Sequence, residues 1–333
     1  MSSLIGWRGR KVAVTGAGGF IGSHLVEQLV LEGARVKALV HYNGRGEWGY
    51  LEELPPSILA EIEVCPGDVT DAFTMRTFVA DQNVVFHLAA LIGIPFSYSA
   101  PQLYVNTNIQ GTLNILEGCR SEKVGRLVHV STSEVYGTAQ YAPIDEKHPL
   151  QGQSPYSASK IAADKLVESY HRSFGVPAVT VRPFNTYGPR QSARAIIPAI
   201  IIQALKNKCV RLGSLEPIRD LSFVKDTVAG FLSVAAGLGL EGRTLNVCSG
   251  SGISIGQLAT MILRVMDVRV EIIHDQSRVR PESSEVMKLE GDSNLIRVLT
   301  GWQPKYSLNE GLQETISYVV KNLDRYKAAG YAV

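Results

Sequence analysis

Long apolar runs are missing from this chain. No segment reaches the ~18 consecutive apolar residues that cross a bilayer, and the stretch from Met1 to Arg10 lacks the hydrophobic run of a secretory leader. Cysteine is scarce. Cys65, Cys119, Cys209 and Cys248 are scattered over 333 residues, with neither the paired spacing of a zinc site nor the density of a disulfide framework. Each lies in an apolar stretch and reads as a buried thiol in a reducing compartment, so a cytoplasmic protein is expected. An excess of one charge is also absent: 33 Lys and Arg face 31 Asp and Glu. Bulk electrostatics therefore calls for neither nucleic acid nor a membrane surface, and any anionic ligand must be met by a few local cations. His24, His41, His129 and His171 share no metal spacing and read as structural; no metal is expected.

What is present is a regular alternation. Short β-branched runs at 12–15, 36–40, 61–65, 84–88, 127–131 and 179–182 read as strands, and their near-continuous apolar character suits a parallel sheet covered on both faces. Helical periodicity fills the intervals at 20–31, 72–80, 102–119 and 156–174. Such repetition predicts an α/β fold built on a doubly wound parallel sheet with right-handed crossovers. After Pro189 the pattern changes to helices at 196–205, 225–236 and 255–266, with short strands at 221–224 and near Leu245 and Ile272. Ser254 with Gln257, and Ser307 with Glu310, form capping boxes that open two of the later helices. At roughly 150 residues per domain, the length accommodates a nucleotide domain over 1–185 and a smaller α/β substrate lobe over 186–333, with some segments returning to the main sheet.

Directly after the first strand stands Thr15-Gly16-Ala17-Gly18-Gly19-Phe20-Ile21-Gly22, opening a helix. Glycine serves such a turn by making the bend, by letting backbone approach a pyrophosphate, and by letting helix and strand pack closely. The first-turn amides, including those of Phe20 and Ile21, then face the phosphates. The fold is thus Rossmann-type and the ligand a nicotinamide dinucleotide. Asp68-Val69 follow the third strand, where a carboxylate and an amide suit the adenine edge; Asp68 reads equally as a helix N-cap. Leu88, Ala89 and Ala90 end the fourth strand, where small residues let a cofactor lie close. The second strand ends without the acidic residue that binds a ribose 2′-hydroxyl. His41, Asn43 and Arg45 stand there instead, a set that suits a 2′-phosphate and favours NADP over NAD.

Tyr156-Ser157-Ala158-Ser159-Lys160 places a phenol and an ammonium one helical turn apart. A phenol of pKa near 10 is a poor base at neutral pH; an adjacent ammonium favours its phenolate, and lysine can also bind the nicotinamide ribose. Ser131-Thr132-Ser133-Glu134 lies at the carboxyl end of the fifth strand, where open α/β sheets bind ligands. Thr132 is expected to hydrogen-bond the substrate hydroxyl that Tyr156 deprotonates.

These residues resemble the extended short-chain dehydrogenase/reductases, and within them the nucleotide-sugar 4,6-dehydratases. The similarity covers nearly the whole chain, through the glycine motif, His87–Ala90, Asn106–Thr112, Ser131–Gly137, Tyr156–Lys160, Arg182–Asn185 and Arg219-Asp220. The segments Tyr187–Arg194 and Gly93–Tyr98 look most like dehydratases of the legionaminic acid type, which act on nucleotide-activated N-acetylglucosamine. The resemblance implies a redox cycle in which Tyr156 takes the C4 hydroxyl proton while hydride leaves C4. Glu134 then removes the C5 proton, water is lost from C6, and hydride returns there. It also carries Asn108 and Pro183 to the cofactor, and Tyr98, Asn185, Arg190, Ile197, Arg211, Arg219 and Arg280 to the nucleotide sugar, with Arg194 in reach. A homodimer through a four-helix bundle is implied as well.

One position departs from the pattern. The dehydratases of this resemblance carry Thr-Asp-Glu, whereas this chain has Thr132-Ser133-Glu134. Serine is not an acid catalyst, so either Glu134 serves both proton transfers or Ser133 relays one through water. A UDP-glucuronate decarboxylase and a 4-epimerase remain alternatives, as does a catalytically dead nucleotide-sensing protein. Replacement Tyr156→Phe separates the enzymes from the sensor. Turnover is expected to fall by about 10²–10⁴-fold while dinucleotide binding persists; an unchanged rate removes Tyr156 from the chemistry.

Overall fold

The computed structural model describes residues 6–207, 209–279 and 281–326. Its first half runs β1 (Lys11–Thr15), α1 (Phe20–Leu31), β2 (Arg35–His41), a single turn α2 (Pro56–Leu59), β3 (Ile62–Gly67), α3 (Ala72–Val79) and β4 (Val84–His87). Short α4 (Ile94–Ser99) and α5 (Pro101–Tyr104) precede α6 (Gly111–Ser121), β5 (Arg126–Val130), α7 (Pro155–Phe174) and β6 (Ala178–Pro183). The later segments are β7 (Asn185–Tyr187), α8 (Ile196–Lys206), β8 (Cys209–Leu212), β9 (Ile218–Phe223), α9 (Val224–Ala236) and β10 (Thr244–Val247). They continue with β11 (Gly252–Ser254), α10 (Ile255–Val265), β12 (Glu271–His274), β13 (Lys288–Leu289), α11 (Asn294–Thr300) and α12 (Leu308–Lys321).

Seven parallel strands form the main sheet in the order β10-β6-β5-β4-β1-β2-β3. Their side chains alternate between two hydrophobic layers, as the pleat requires. Val12, Val14, Val84, Phe86, Val128 and Val130 join one cluster with Leu25 and Leu29 of α1 and Phe231 of α9. Ala13, Val85 and Leu127 point the other way, against Met75 and Phe78 of α3 and Ile115 and Leu116 of α6. Both faces are covered, which is why β4, β5 and β6 are buried along their whole lengths. The Rossmann-type α/β architecture expected from the alternation is therefore the one found. Among the described residues no helix is long and apolar enough to cross a membrane.

β7, β9, β11 and β13 build a second sheet, and β8 pairs with β12 in a third. Boundaries differ from the periodicity where tertiary partners intervene. The strand expected at 221–224 begins at Ile218, because Ile218 and Arg219 pair with β11 and β13 on either side. The helix expected at 102–119 is interrupted by a π-helical turn over Val105–Gln110. A Cβ on Gly111, the next residue, would lie 2.8 Å from a methyl of Val69, so α6 starts pressed against the end of β3.

His87 and His129 are buried in the main sheet, and His24 of α1 is half-buried. His87 lies between Thr15 Oγ1, 2.8 Å from Nδ1, and Thr112 Oγ1, 3.1 Å from Nε2. His129 stands 3.3 Å from the Asp164 carboxylate, and His24 Nε2 is 3.0 Å from the Pro189 carbonyl. Burial lowers the pKa of all three, that of His24 to about 4 from 6.5, with the Arg190 charge adding to the effect. Such groups are neutral when folded and protonate when unfolded, so stability falls as pH drops through 6.5 toward the folded values. Urea midpoints should decline between about pH 7 and pH 4.5, and His24→Gln should lose less over the same interval. A flat wild-type profile would exclude the buried neutral histidines.

Candidate active site

The glycine turn is shaped for close approach. Gly16 has φ +67, and a Cβ there would sit 2.8 Å from the Ala89 amide nitrogen, so the turn packs backbone to backbone against the end of β4. A Cβ on Gly22 would fall 2.1 Å from the Gly16 carbonyl oxygen. Thr15 stitches the same junction: its hydroxyl accepts the amides of Leu88 and Ala89, each at 3.1 Å. Gly19 is the N-cap of α1 and brings no capping side chain, leaving the first turn at Phe20 and Ile21 available to an anion. Leu88, Ala89 and Ala90 are half-buried beside it, and Pro183 is buried at the end of β6. An uncapped helix start, reached through a turn whose backbone is packed too tightly for side chains, fits a dinucleotide pyrophosphate.

At the end of β2, His41 is exposed, with Nδ1 3.6 Å from Asp68 Oδ2. The other Asp68 oxygen accepts the amide and hydroxyl of Thr70, both at 2.8 Å. Asp71, three residues on, caps α3, so the capping alternative for Asp68 is displaced. Asn43 organises its own loop. Its Oδ1 accepts the amides of Arg45 and Glu47 at 3.1 Å each, and its Nδ2 donates to the Glu47 carbonyl at 2.8 Å. Arg45 is exposed, 3.6 Å from Glu47. Val69 is buried, and its carbonyl accepts from Asn114 at 2.9 Å. Asn108, carried to the cofactor by resemblance, is turned inward. It pairs with both backbone groups of Leu91, at 2.8 and 3.0 Å, and donates to Ser159 Oγ at 2.9 Å. With 1% of its surface exposed, it positions the β4 loop against α7.

Tyr156 occupies the first turn of α7, which a Ser154–Ser157 capping box and Pro155 at its first position set in place. The phenol is buried, edge-on to Tyr104 with centroids 6.2 Å apart. Burial pushes its pKa up; a hydrogen bond from Thr132 opposes this, and the nearby Glu134 carboxylate adds to it. The ammonium effect expected from Lys160 is not what dominates, because Lys160 Nζ is directed at the Val130 carbonyl, 2.9 Å away at the end of β5. Burial lowers Lys160 itself to about 8, opposed by Asp164. After β5, a 3-10 turn over Ser133–Tyr136 is capped by Thr132, whose Oγ1 accepts the Glu134 amide at 3.2 Å. The turn sends Ser133 inward, 1% exposed, and leaves Glu134 partly open. A solvent relay through Ser133 is thereby disfavoured, and Glu134 is the partly open carboxylate of this turn.

The residues assigned to the sugar nucleotide divide. Asn185 opens β7 with a buried Oδ1 that has no hydrogen-bond partner among the described residues. Arg219 on β9 is buried, donating to Glu285 at 3.0 Å and to the Ile218 carbonyl at 3.0 Å. Tyr98 Oη is 2.5 Å from Ser284 Oγ, which donates to the Gln153 carbonyl at 2.7 Å. The 281–287 segment thus crosses between α4, the loop before α7 and β9. Arg211 is exposed on β8. Two others have their partners within the protein. Arg190, at φ +65, pairs with Glu27 of α1 at 2.8 Å, and Ile197 is 1% exposed within the core, on the inner face of α8. Arg280 lies outside the described residues. Sequence reasoning missed Tyr104, Glu285 and the Asp164–Arg182 pair; of these only Asp164, one turn beyond Lys160, had a legible spacing. Gly22→Ala tests the cradle. Its methyl group must push the turn aside at a cost of about 1–3 kcal/mol, and dinucleotide affinity measured by calorimetry should drop about tenfold or more. Unchanged affinity would detach the turn from the ligand.

Comparison with known proteins converges on this geometry. The family model described as GDP-mannose 4,6 dehydratase matches residues 13–315. A dTDP-glucose 4,6-dehydratase of Actinoplanes sp. is 31% identical, with 94% of this chain and 98% of that protein covered. Among solved structures, a dTDP-glucose 4,6-dehydratase from Streptomyces venezuelae with NAD bound superposes with a TM-score of 0.82 at 28% identity, covering 95% of this chain and 99% of that one. A UDP-glucuronic acid 4-epimerase from Bacillus cereus, in complex with UDP-glucuronic acid and NAD, gives a TM-score of 0.84 at 27% identity, covering 94% and 99%. With the glycine cradle, the Thr132–Tyr156–Lys160 centre and a match over most of its length, the chain belongs to the GDP-mannose 4,6-dehydratase family of extended short-chain dehydrogenase/reductases, a group of nucleotide-sugar dehydratases and epimerases.

Proposed function

We propose that the protein is a nucleotide-sugar 4,6-dehydratase converting an NDP-N-acetylglucosamine, or a related NDP-hexose, to its 4-keto-6-deoxy form. The observation that carries this reading is the partly exposed Glu134 carboxylate, close enough to the Tyr156 phenol to act on its ionisation, beside Thr132 at the end of β5. A nicotinamide dinucleotide held by the Gly16–Gly22 turn supplies the hydride acceptor for C4 and the hydride donor for C6. Tyr156 accepts the C4 hydroxyl proton, with Thr132 orienting that hydroxyl. The resulting ketone acidifies the C5 hydrogen, so a carboxylate of ordinary basicity removes it. Glu134 then delivers that proton to the departing C6 hydroxyl, which leaves as water. With hydride added at C6, C5 takes up one proton from solvent while Tyr156 releases the one it took from the C4 hydroxyl, so the net change is loss of one water. One carboxylate serving both transfers answers the loss of an acid at Ser133.

Asn185 and Arg219 are proposed at the diphosphate, the latter after exchanging Glu285 for phosphate oxygens, and Tyr98 at the sugar. Residues 186–333 then serve as the substrate lobe. Relatives are solved with NAD; the exposed Arg45 is the feature that would admit a 2′-phosphate and NADP. The protein is placed in the cytoplasm as a homodimer joined through α6 and α7 in a four-helix bundle; Leu103 and Val105, exposed on the run that leads into α6, support the pairing. The second reading, a 4-epimerase, is favoured by Ser133 and by the epimerase relatives. Incubation with UDP- and GDP-N-acetylglucosamine followed by mass spectrometry decides: loss of one water with no net nicotinamide reduction is expected. An isomer of unchanged mass points to the epimerase, and steady accumulation of reduced nicotinamide defeats both.

A further inference from the structure

Beneath the reacting pair lies a buried charge cluster that the chemistry above does not use. Tyr156, Lys160 and Asp164 follow one another at successive turns of α7, so they share one helix face. All three are at least nine-tenths buried. Asp164 Oδ2 accepts both Nε and Nη2 of Arg182, at 3.1 and 2.9 Å, in fork geometry. Asp164 Oδ1 lies 3.3 Å from His129 Nε2, a close contact in which neither atom makes a hydrogen bond. Arg182 is held in turn by Tyr136, whose hydroxyl accepts from Nη1 at 3.1 Å and donates to Asn246 Oδ1 at 2.7 Å. A buried ion pair of this kind is seldom retained for stability alone, since well-packed apolar residues often do as well.

We propose that Asp164 is a positioning residue for the reaction: its carboxylate, held in place by Arg182 and His129, keeps the Lys160 ammonium charged and directed at the end of β5, where it supports the Tyr156 phenolate. The inference rests on the proposed role of Tyr156 and adds Lys160 to it as a supporting charge. The surrounding groups leave Asp164 as the counter-charge. His87 from β4 and His129 from β5 are driven neutral by burial. Arg182 from β6 is cationic and cannot assist a second cation. From the turn after β5 come Tyr136, pushed up to about 12 by burial, and Glu134, which acts on the phenol side. Tyr104 from α5 is raised by burial, and α6 presents the uncharged Thr112 and Asn108. Burial works against the Asp164 carboxylate, but the bonded Arg182 and the adjacent His129 outweigh it and hold Asp164 at about 2, so it is ionised throughout the working range. Burial alone works against the Lys160 charge, and Asp164 is what opposes it.

Activity that needs a charged Lys160 is lost as pH rises through the lysine pKa. Asp164→Asn should move that alkaline limb of the kcat profile acidward by about one pH unit or more, with KM for the nucleotide sugar little changed. Arg182→Gln removes the competing cation and should move the limb the opposite way. A merely structural role would lower the rate at every pH and shift neither limb, which would overturn the proposal. If the substituted proteins do not fold, the unsubstituted enzyme still decides. With ¹³C-labelled lysine and aspartate, the Lys160 and Asp164 signals should share one titration step, and an Asp164 carboxyl that stays unmoved through the Lys160 step would refute the coupling. Because this titration needs no sugar, its failure is distinct from failure of the dehydratase reading, which would show as absent turnover alongside an intact step.

Discussion

The contact between the Gly16 turn and the end of β4 is the constraint on which the reacting edge depends. Backbone meets backbone there at a distance no side chain would tolerate, and the Thr15 hydroxyl holds the junction by accepting two amides of the opposite strand. The turn places the uncapped start of α1 over the carboxyl edge of the sheet. β5 ends on the same edge, because the strands are parallel, and delivers Thr132 and Glu134 beside Tyr156. Open α/β sheets bind their ligands along this carboxyl edge. The inward-turned Asn108 serves the same end, tying the loop after β4 to α7 so that cradle and phenol keep their spacing.

Burial sets the electrostatics of that edge in opposing senses. The Tyr156 phenol is pushed up and the Lys160 ammonium down, each away from the charge state that proton abstraction needs. Thr132 and Asp164 oppose these two penalties from opposite sides. The site thus depends on short-range partners more than on net charge, in keeping with a chain whose charges nearly cancel. The same logic explains the Arg219–Glu285 pair. A cation buried on β9 needs a carboxylate beside it, and the 281–287 segment brings one.

Much of this was legible before any coordinates. Six parallel strands follow from β-branched runs, because a strand covered on both faces must be apolar at nearly every position. The capping boxes at Ser254 and Ser307 stand as their spacing requires, each closing within four residues. The glycine turn and the Tyr156–Lys160 pair were readable for the same reason. Other features had no local signal. β7, β11 and β13 are two or three residues long and exist only through pairing with β9 or each other's neighbours. Arg190 and Ile197 sit in a motif that pointed to the ligand, yet one found Glu27 on α1 and the other the core.

What the sequence determined by itself was the set of interactions that close within a turn or two of chain: strand period, helix caps, the glycine bend, the phenol and ammonium on one face. Their partners lie within about eight residues, so spacing encodes them. Tertiary structure alone decided which polar group each of them met. Lys160 turned to Val130, 30 residues away, Arg182 to Asp164 and Arg219 to Glu285, 18 and 66 residues away. Those pairings are chosen by the crossing of strands and helices and by the cost of leaving a buried charge alone, neither of which a linear pattern records.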